Sequence, residues 1–412
     1  MPAGLHETTR GFKSTREQKT RLNRLQKLLI YRLKAEFTDE MKFSNISPRT
    51  GFMFSSRSHQ EIKADSMATQ ISPTSAPRDW SALIGRCYMN PILDYSLIGA
   101  AISIPFVIWV LLQPSITPQD FKTKVIVFLF FNYAHFAAST VRLYTKPGEI
   151  PSRTWATIWL PLVAIIITTL CIAYPKLLGD QLWALYITWS PYHYAAQAYG
   201  LALMYCYRTG VFLDTSEKRM FWMICMLPFI RAILQAKEGG INWFIDLSLY
   251  PVLNDYIEIA AIVLAVLIFT LPIICFFRFQ DKGKTLPLIC WLLLAMNGLW
   301  WVTLSYEDAW FWASIFHSLQ YIVIVVIVHT NDMMKRPQND KGKLFHVMSF
   351  YAMSMLLGMF LFIGWPWIYY AFGFSLESAI LMTAATINIH HFMVDGYIWR
   401  SKKKKKPIAV TT

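Results

Sequence analysis

Five of the nine histidines in this 412-residue chain stand where an ordinary apolar segment would carry leucine. They are His135, His193, His317 and the adjacent pair His390 and His391. Imidazole can ligate a transition metal as a neutral donor, or carry a proton near neutral pH. Polar companions sit one helical turn away: Asn132 and Ser139 flank His135, Gln197 follows His193, and Gln320 follows His317. Asn388, His391 and Asp395 share one face of a helix, because residues three and four apart meet on its surface. Asp395 is therefore expected to hold one ring nitrogen of His391, leaving the other free to bind metal or move a proton. It is the candidate catalytic acid or base.

Many imidazoles with few carboxylates suit iron or copper, or a haem held by two histidines from facing helices. All five are predicted metal ligands, with Asn132, Ser139, Gln197, Gln320 and Asn388 around them. The strings YAHFAAS at 133–139 and YHYAAQ at 192–197 echo one another, a hint of repetition by helical hairpin. Membrane fatty-acid desaturases and hydroxylases carry HxxxH and HxxHH boxes, and the spacing here departs from both. Ile387 stands where a third histidine would complete HxxHH.

The elements that must position these residues are apolar runs of about twenty residues, each able to cross ~30 Å of hydrocarbon as a helix. They fall at 94–113, 124–143, 155–174, 182–206, 219–236, 255–277, 286–304, 309–329, 346–371 and 376–399. Composition agrees: 55% of residues are hydrophobic and 16% charged, against about 25% charged in a soluble domain. The mean hydropathy is +0.36. The expectation is an all-α, polytopic integral membrane bundle of about ten transmembrane helices, placed in the cell membrane.

Charge placement sets the orientation. Arg142, Lys146 and Arg153 follow the second run, and Arg208, Lys218 and Arg219 the fourth. Arg278, Lys282 and Lys284 follow the sixth, and Lys335, Arg336, Lys341 and Lys343 the eighth. The tenth leads into Arg400 and Lys402 to Lys406. The other gaps are poor in cations, Lys122 and Lys124 excepted, so both termini are expected to be cytoplasmic under the positive-inside rule. The net charge of +14 is thus read as cytoplasmic flanks touching anionic lipid, with no nucleic-acid partner.

Three regions follow: a basic, largely disordered stretch over 1–90, the helical domain over 91–400, and a Lys-rich tail over 401–412. Within the first, 16–35 has the pattern of a basic helix with Leu22, Leu25, Leu29 and Leu33 near one face, suited to a membrane surface. No cleavable signal peptide is expected, since the chain opens polar and basic. The cysteines (Cys87, Cys171, Cys206, Cys225, Cys275 and Cys290) show no paired spacing, so neither a disulfide framework nor a zinc motif is expected.

The histidine-bearing runs are all even-numbered and so cross the membrane in one direction. Counting at 1.5 Å per residue puts His135 and His390 roughly 10–15 Å from the inner flank, and His193 and His317 roughly 20–25 Å from it. One cluster or two stacked sites both fit. Buried polar side chains in lipid are costly and usually face a site. The leading expectation is a metal- or haem-dependent membrane oxidoreductase acting on a lipid-like substrate. A proton-coupled or small-solute transporter is the alternative, with Pro191 beside His193 as a candidate kink. A scaffold or assembly factor with structural histidines is the third reading. His329 and His346 are expected at the membrane–water interface, as is Asp94.

Overall fold

Among the described residues each apolar run coincides with helix, and the helix ends have local causes. Ser305 opens one helix, its hydroxyl accepting from Asp308 N–H at 3.2 Å. Ser375 caps another through Ser378 N–H at 3.4 Å, satisfying donors that the first turn leaves free. Gly210, with φ of +88°, closes a third in the left-handed conformation that glycine adopts without strain.

A computed structural model describes residues 83–112, 129–146 and 154–399. The basic pattern at 16–35, the cations Lys122, Lys124, Arg153 and Arg400, and the lysine tail lie outside the described residues. In chain order the helices are α1 (Pro91–Ile98), α2 (Ser103–Leu112), α3 (Ala134–Thr145), α4 (Trp155–Ala173), α5 (Asp180–Thr209) and α6 (Thr215–Gln235). Then come α7 (Pro251–Asp281), α8 (Leu288–Thr303), α9 (Tyr306–Met334), α10 (Lys343–Ala371) and α11 (Leu376–Ile398). Among the described residues there is no strand. The site-bearing helices belong to one compact unit, whereas Leu213–Arg219 fall in the other.

Four helices are long and apolar enough to cross a membrane on their own: α4, α7, α9 and α10. The bent pair α1 and α2 would make a fifth. Polarity is distributed inside out. The most apolar stretch of α7 has a mean hydropathy of 3.0, yet only 22% of it is buried. Ile262, Ile273 and Phe277 face outward there. Meanwhile Asn132, Ser139, Ser314, Asn388, His135, His193, His317 and His391 are inside. Soluble monomers rarely expose large contiguous apolar surface, so the exposed belt suits lipid contact. Helix α9 is the opposite case, 61% buried over its apolar window, and stands at the centre.

The first apolar run is broken. α1 and α2 meet at 44°, and between them Ala100 has φ of +59°, a conformation costing a non-glycine residue roughly 1–2 kcal/mol. Surrounding contacts hold it. Gln320 on α9 donates to Ile98 O at 2.9 Å, and Trp300 Nε1 donates to Ser103 Oγ at 2.9 Å. Helix α5, by contrast, runs unbroken through Pro191. The discontinuity thus lies in α1–α2 and not beside His193.

Three residues expected at the interface are buried. His346 is held by Asn339 Oδ1 at 2.7 Å, and His329 packs on Phe350 with ring centroids 4.4 Å apart. Asp94 accepts from Tyr88 N–H at 2.6 Å, Met89 N–H at 3.0 Å and Tyr205 O–H at 2.7 Å. It ties the entry loop to α5. The cysteines are all free thiols.

Candidate metal centre

Helices α3 and α5 each pack against both α9 and α11, so the four close a ring in the order α3, α9, α5, α11. Each turns one histidine inward. His135 lies 4.8 Å from His317 between ring centroids, His317 4.9 Å from His193, His193 5.1 Å from His391, and His391 4.3 Å from His135. The circuit of side chains repeats the circuit of helices. One nitrogen from each ring can be chosen so that all four lie within 4.8 Å of one another, and all four residues are buried.

Close approach at this level is built into the sequence. Ala134, Ala137 and Ala138 on α3 and Ala195 and Ala198 on α5 are buried beside the histidines, and small residues let membrane helices come together. Gly358 on α10 brings that helix against the wider π turn Leu129–Tyr133 that leads into α3. A Cβ at Gly358 would stand 2.3 Å from Tyr133 O.

The polar neighbours are arranged in two decks. Three residues before each of the four histidines stand Asn132, Ser190, Ser314 and Asn388, and four residues after stand Ser139, Gln197, Tyr321 and Asp395. In the first deck Asn132 Nδ2 donates to Ser314 Oγ at 2.8 Å, and Ser318 donates to Asn132 Oδ1. In the second, Tyr321 O–H donates to Asp395 Oδ1 at 2.6 Å, while Ser139 Oγ reaches out of that deck to stand 2.9 Å from His391 Nδ1. Bonds between like decks require the helices to run in the same direction at the same height. The histidines therefore make one centre, not two stacked ones.

The expected companions are present but serve other partners. Ser139 reaches His391 on α11 and not its own neighbour His135. Gln197 donates to His317 O at 3.1 Å and to Gln320 Oε1 at 3.4 Å, Gln320 secures the α1 break, and Asn388 Nδ2 bonds Ala384 O at 2.8 Å. Asp395 Oδ2 lies 3.5 Å from His391 Nε2, too far for the orienting hydrogen bond expected of it. His390 is not among the four whose nitrogens converge and is half-buried. Tyr321 was not singled out in the sequence, though its place four residues after His317 matches that of Asp395 after His391.

The ring nitrogens have little to bond to. Both nitrogens of His135, both of His317, Nε2 of His193 and Nε2 of His391 are buried and make no hydrogen bond among the described residues. A buried polar atom left unsatisfied costs about 1–3 kcal/mol, and here the orphans converge. One ion with metal–nitrogen bonds of about 2.0–2.1 Å holds its ligand atoms about 3–4 Å apart. The four donors need only a small contraction to reach that. A porphyrin with two axial imidazoles needs the rings on opposite faces of a macrocycle, whereas these rings meet edge to face. The donor set fits a single ion.

The fold and site together define a helical chain with several membrane-length helices around a buried group of four histidines that could bind a metal. No protein-family model, no curated protein and no solved structure matches the chain.

Proposed function

We propose that this protein is a multi-pass membrane metalloprotein in which His135, His193, His317 and His391 hold one redox-active ion, iron or copper, used to oxidise or reduce an apolar, lipid-like substrate reached from the bilayer. The observation that carries the reading is the convergence of four buried, unsatisfied imidazoles on one point. Imidazole donors suit iron and copper as well as zinc, and a redox ion bound there would supply one-electron chemistry. Burial of the four rings limits their contact with water, and the outward apolar surface would admit a substrate dissolved in lipid.

The membrane reading extends to ten crossings in the cell membrane with both ends cytoplasmic. It is supported by the helices found over the described parts of the ten apolar runs and by the alternation of cationic gaps. By themselves α5, α6 and α11 fall short of membrane hydropathy, and α3 and α8 are too short to cross. The polar decks on α5 and α11 lower theirs, and packing inside the bundle would offset that cost. Protease protection of tags placed at both termini in sealed vesicles tests the orientation. An outside tag at either end would overturn it.

The decisive experiment on function is elemental analysis and electron paramagnetic resonance of purified protein. One equivalent of iron or copper, lost when any one of the four histidines is replaced by Ala, is the expected result. Protein that carries no metal and takes none up would end the redox reading. The break at Ala100 favours a second reading, transport, because solute carriers place interrupted helices near their binding sites. Gln320 joins that break to α9. Proton or solute flux in liposomes by metal-free protein would select it.

A further inference from the structure

The four imidazoles are uncharged ligands, so a divalent ion among them would keep its full double charge in a buried, low-dielectric interior. Burying an uncompensated charge is costly. Among the described residues Asp395 is the carboxylate in ion-pair range of these histidines. Its Oδ2 lies 3.5 Å from His391 Nε2 and 3.8 Å from His193 Nε2. Neither nitrogen has a hydrogen-bond partner. The separations are too long for hydrogen bonds. They match the spacing of two donors on one ion, about 3–4 Å when metal–ligand bonds are about 2.0–2.2 Å.

The other carboxylate oxygen is spoken for, since Tyr321 O–H donates to Oδ1 at 2.6 Å. That bond orients the carboxylate and turns Oδ2 toward the imidazoles. At His391 the ring orientation agrees. Ser139 Oγ stands 2.9 Å from Nδ1, so that nitrogen is engaged and Nε2 is the one left without a partner. Nε2 and Oδ2 therefore face the same space.

We infer that Asp395 is the fifth ligand of the metal centre, binding the ion through Oδ2 while Tyr321 positions it through Oδ1. The centre is then a four-histidine, one-carboxylate site with a single net positive charge when the ion is divalent. This inference rests on the metal-binding reading of the four histidines, and its test separates the two.

Cobalt(II) is the probe, because its visible absorption distinguishes four- from five-coordinate sites. Purified full-length protein is stripped with chelator and titrated with cobalt. Wild type is expected to give a weak five-coordinate spectrum. Asp395→Asn is expected to give the stronger four-coordinate one with affinity lower by more than about tenfold, the lower end for loss of a supporting partner. Asp395→Cys places a thiolate at the same position and is expected to add a sulfur-to-cobalt charge-transfer band, which arises only if side chain 395 reaches the ion. Tyr321→Phe keeps the carboxylate and is expected to keep the five-coordinate spectrum. Unchanged spectrum and affinity in Asp395→Asn, or no thiolate band in a monodisperse Asp395→Cys, would overturn the fifth ligand and leave the four-histidine site standing. Wild type that takes up no cobalt would overturn the site itself.

Discussion

Ser139 on α3 and His391 on α11 are joined across 2.9 Å of buried space, and this contact fixes which nitrogen of His391 faces the centre. Replacement of Ser139 by Ala leaves Nδ1 without that partner and lets the ring turn. Metal affinity, read by competition with a chelator, is expected to fall about 10–100-fold, as it does when partners behind ligand histidines are removed. Helical content should stay the same. Unaltered affinity would show that packing alone holds the ring.

His390 and His391 are neighbours in sequence but not in the site. His391→Ala is expected to abolish stoichiometric metal, whereas His390→Ala should retain it, because the His390 ring is not among the four that converge. Elemental analysis of the two purified variants side by side checks this. Equal loss from both would place the centre elsewhere.

Asn132 bonds both Ser314 and Ser318 and touches no histidine through a hydrogen bond among the described residues. Asn132→Ala leaves two buried hydroxyls short of a partner and is expected to cost about 1–3 kcal/mol. Thermal unfolding in detergent should report that loss while metal content per folded protein stays at wild-type level. The opposite pattern, normal stability with lost metal, would assign Asn132 to the centre.

At Gly358 there is no room for a methyl group, since a Cβ would meet the Tyr133 carbonyl at 2.3 Å. Backbone cannot swing aside as a side chain can. Gly358→Ala is therefore expected to push α10 away from α3, lowering both the melting temperature and metal occupancy. Full occupancy in a destabilised variant would show that the strain stops short of His135.

Metal removal provides the remaining test. A ligand that binds only the folded state stabilises it by RT ln(1 + [L]/Kd), about 2.7 kcal/mol when free ion is at 100 times its dissociation constant. Chelator-treated protein is expected to melt at lower temperature and to recover on adding back the ion. In the His317→Ala variant the same additions should have no effect.

The sequence by itself determined the helical, membrane-suited class and the approximate position of the described helices, the broken first run excepted. Twenty-residue apolar runs and cation-rich gaps are local features that need no knowledge of neighbours. It also marked all four converging histidines, because imidazole in an apolar run is conspicuous wherever it points. The tertiary structure alone decided which of His390 and His391 turns inward, since adjacent residues on a helix differ by about 100° and the burying face is set by packing partners. It alone made one centre of what rise per residue left as one or two. It also reassigned the companions: Ser139 serves His391, Gln320 serves the broken α1, and Tyr321 orients Asp395. Sequence spacing reports contacts along one helix, whereas each of these bonds crosses between helices, where geometry depends on the register of one packed segment against another.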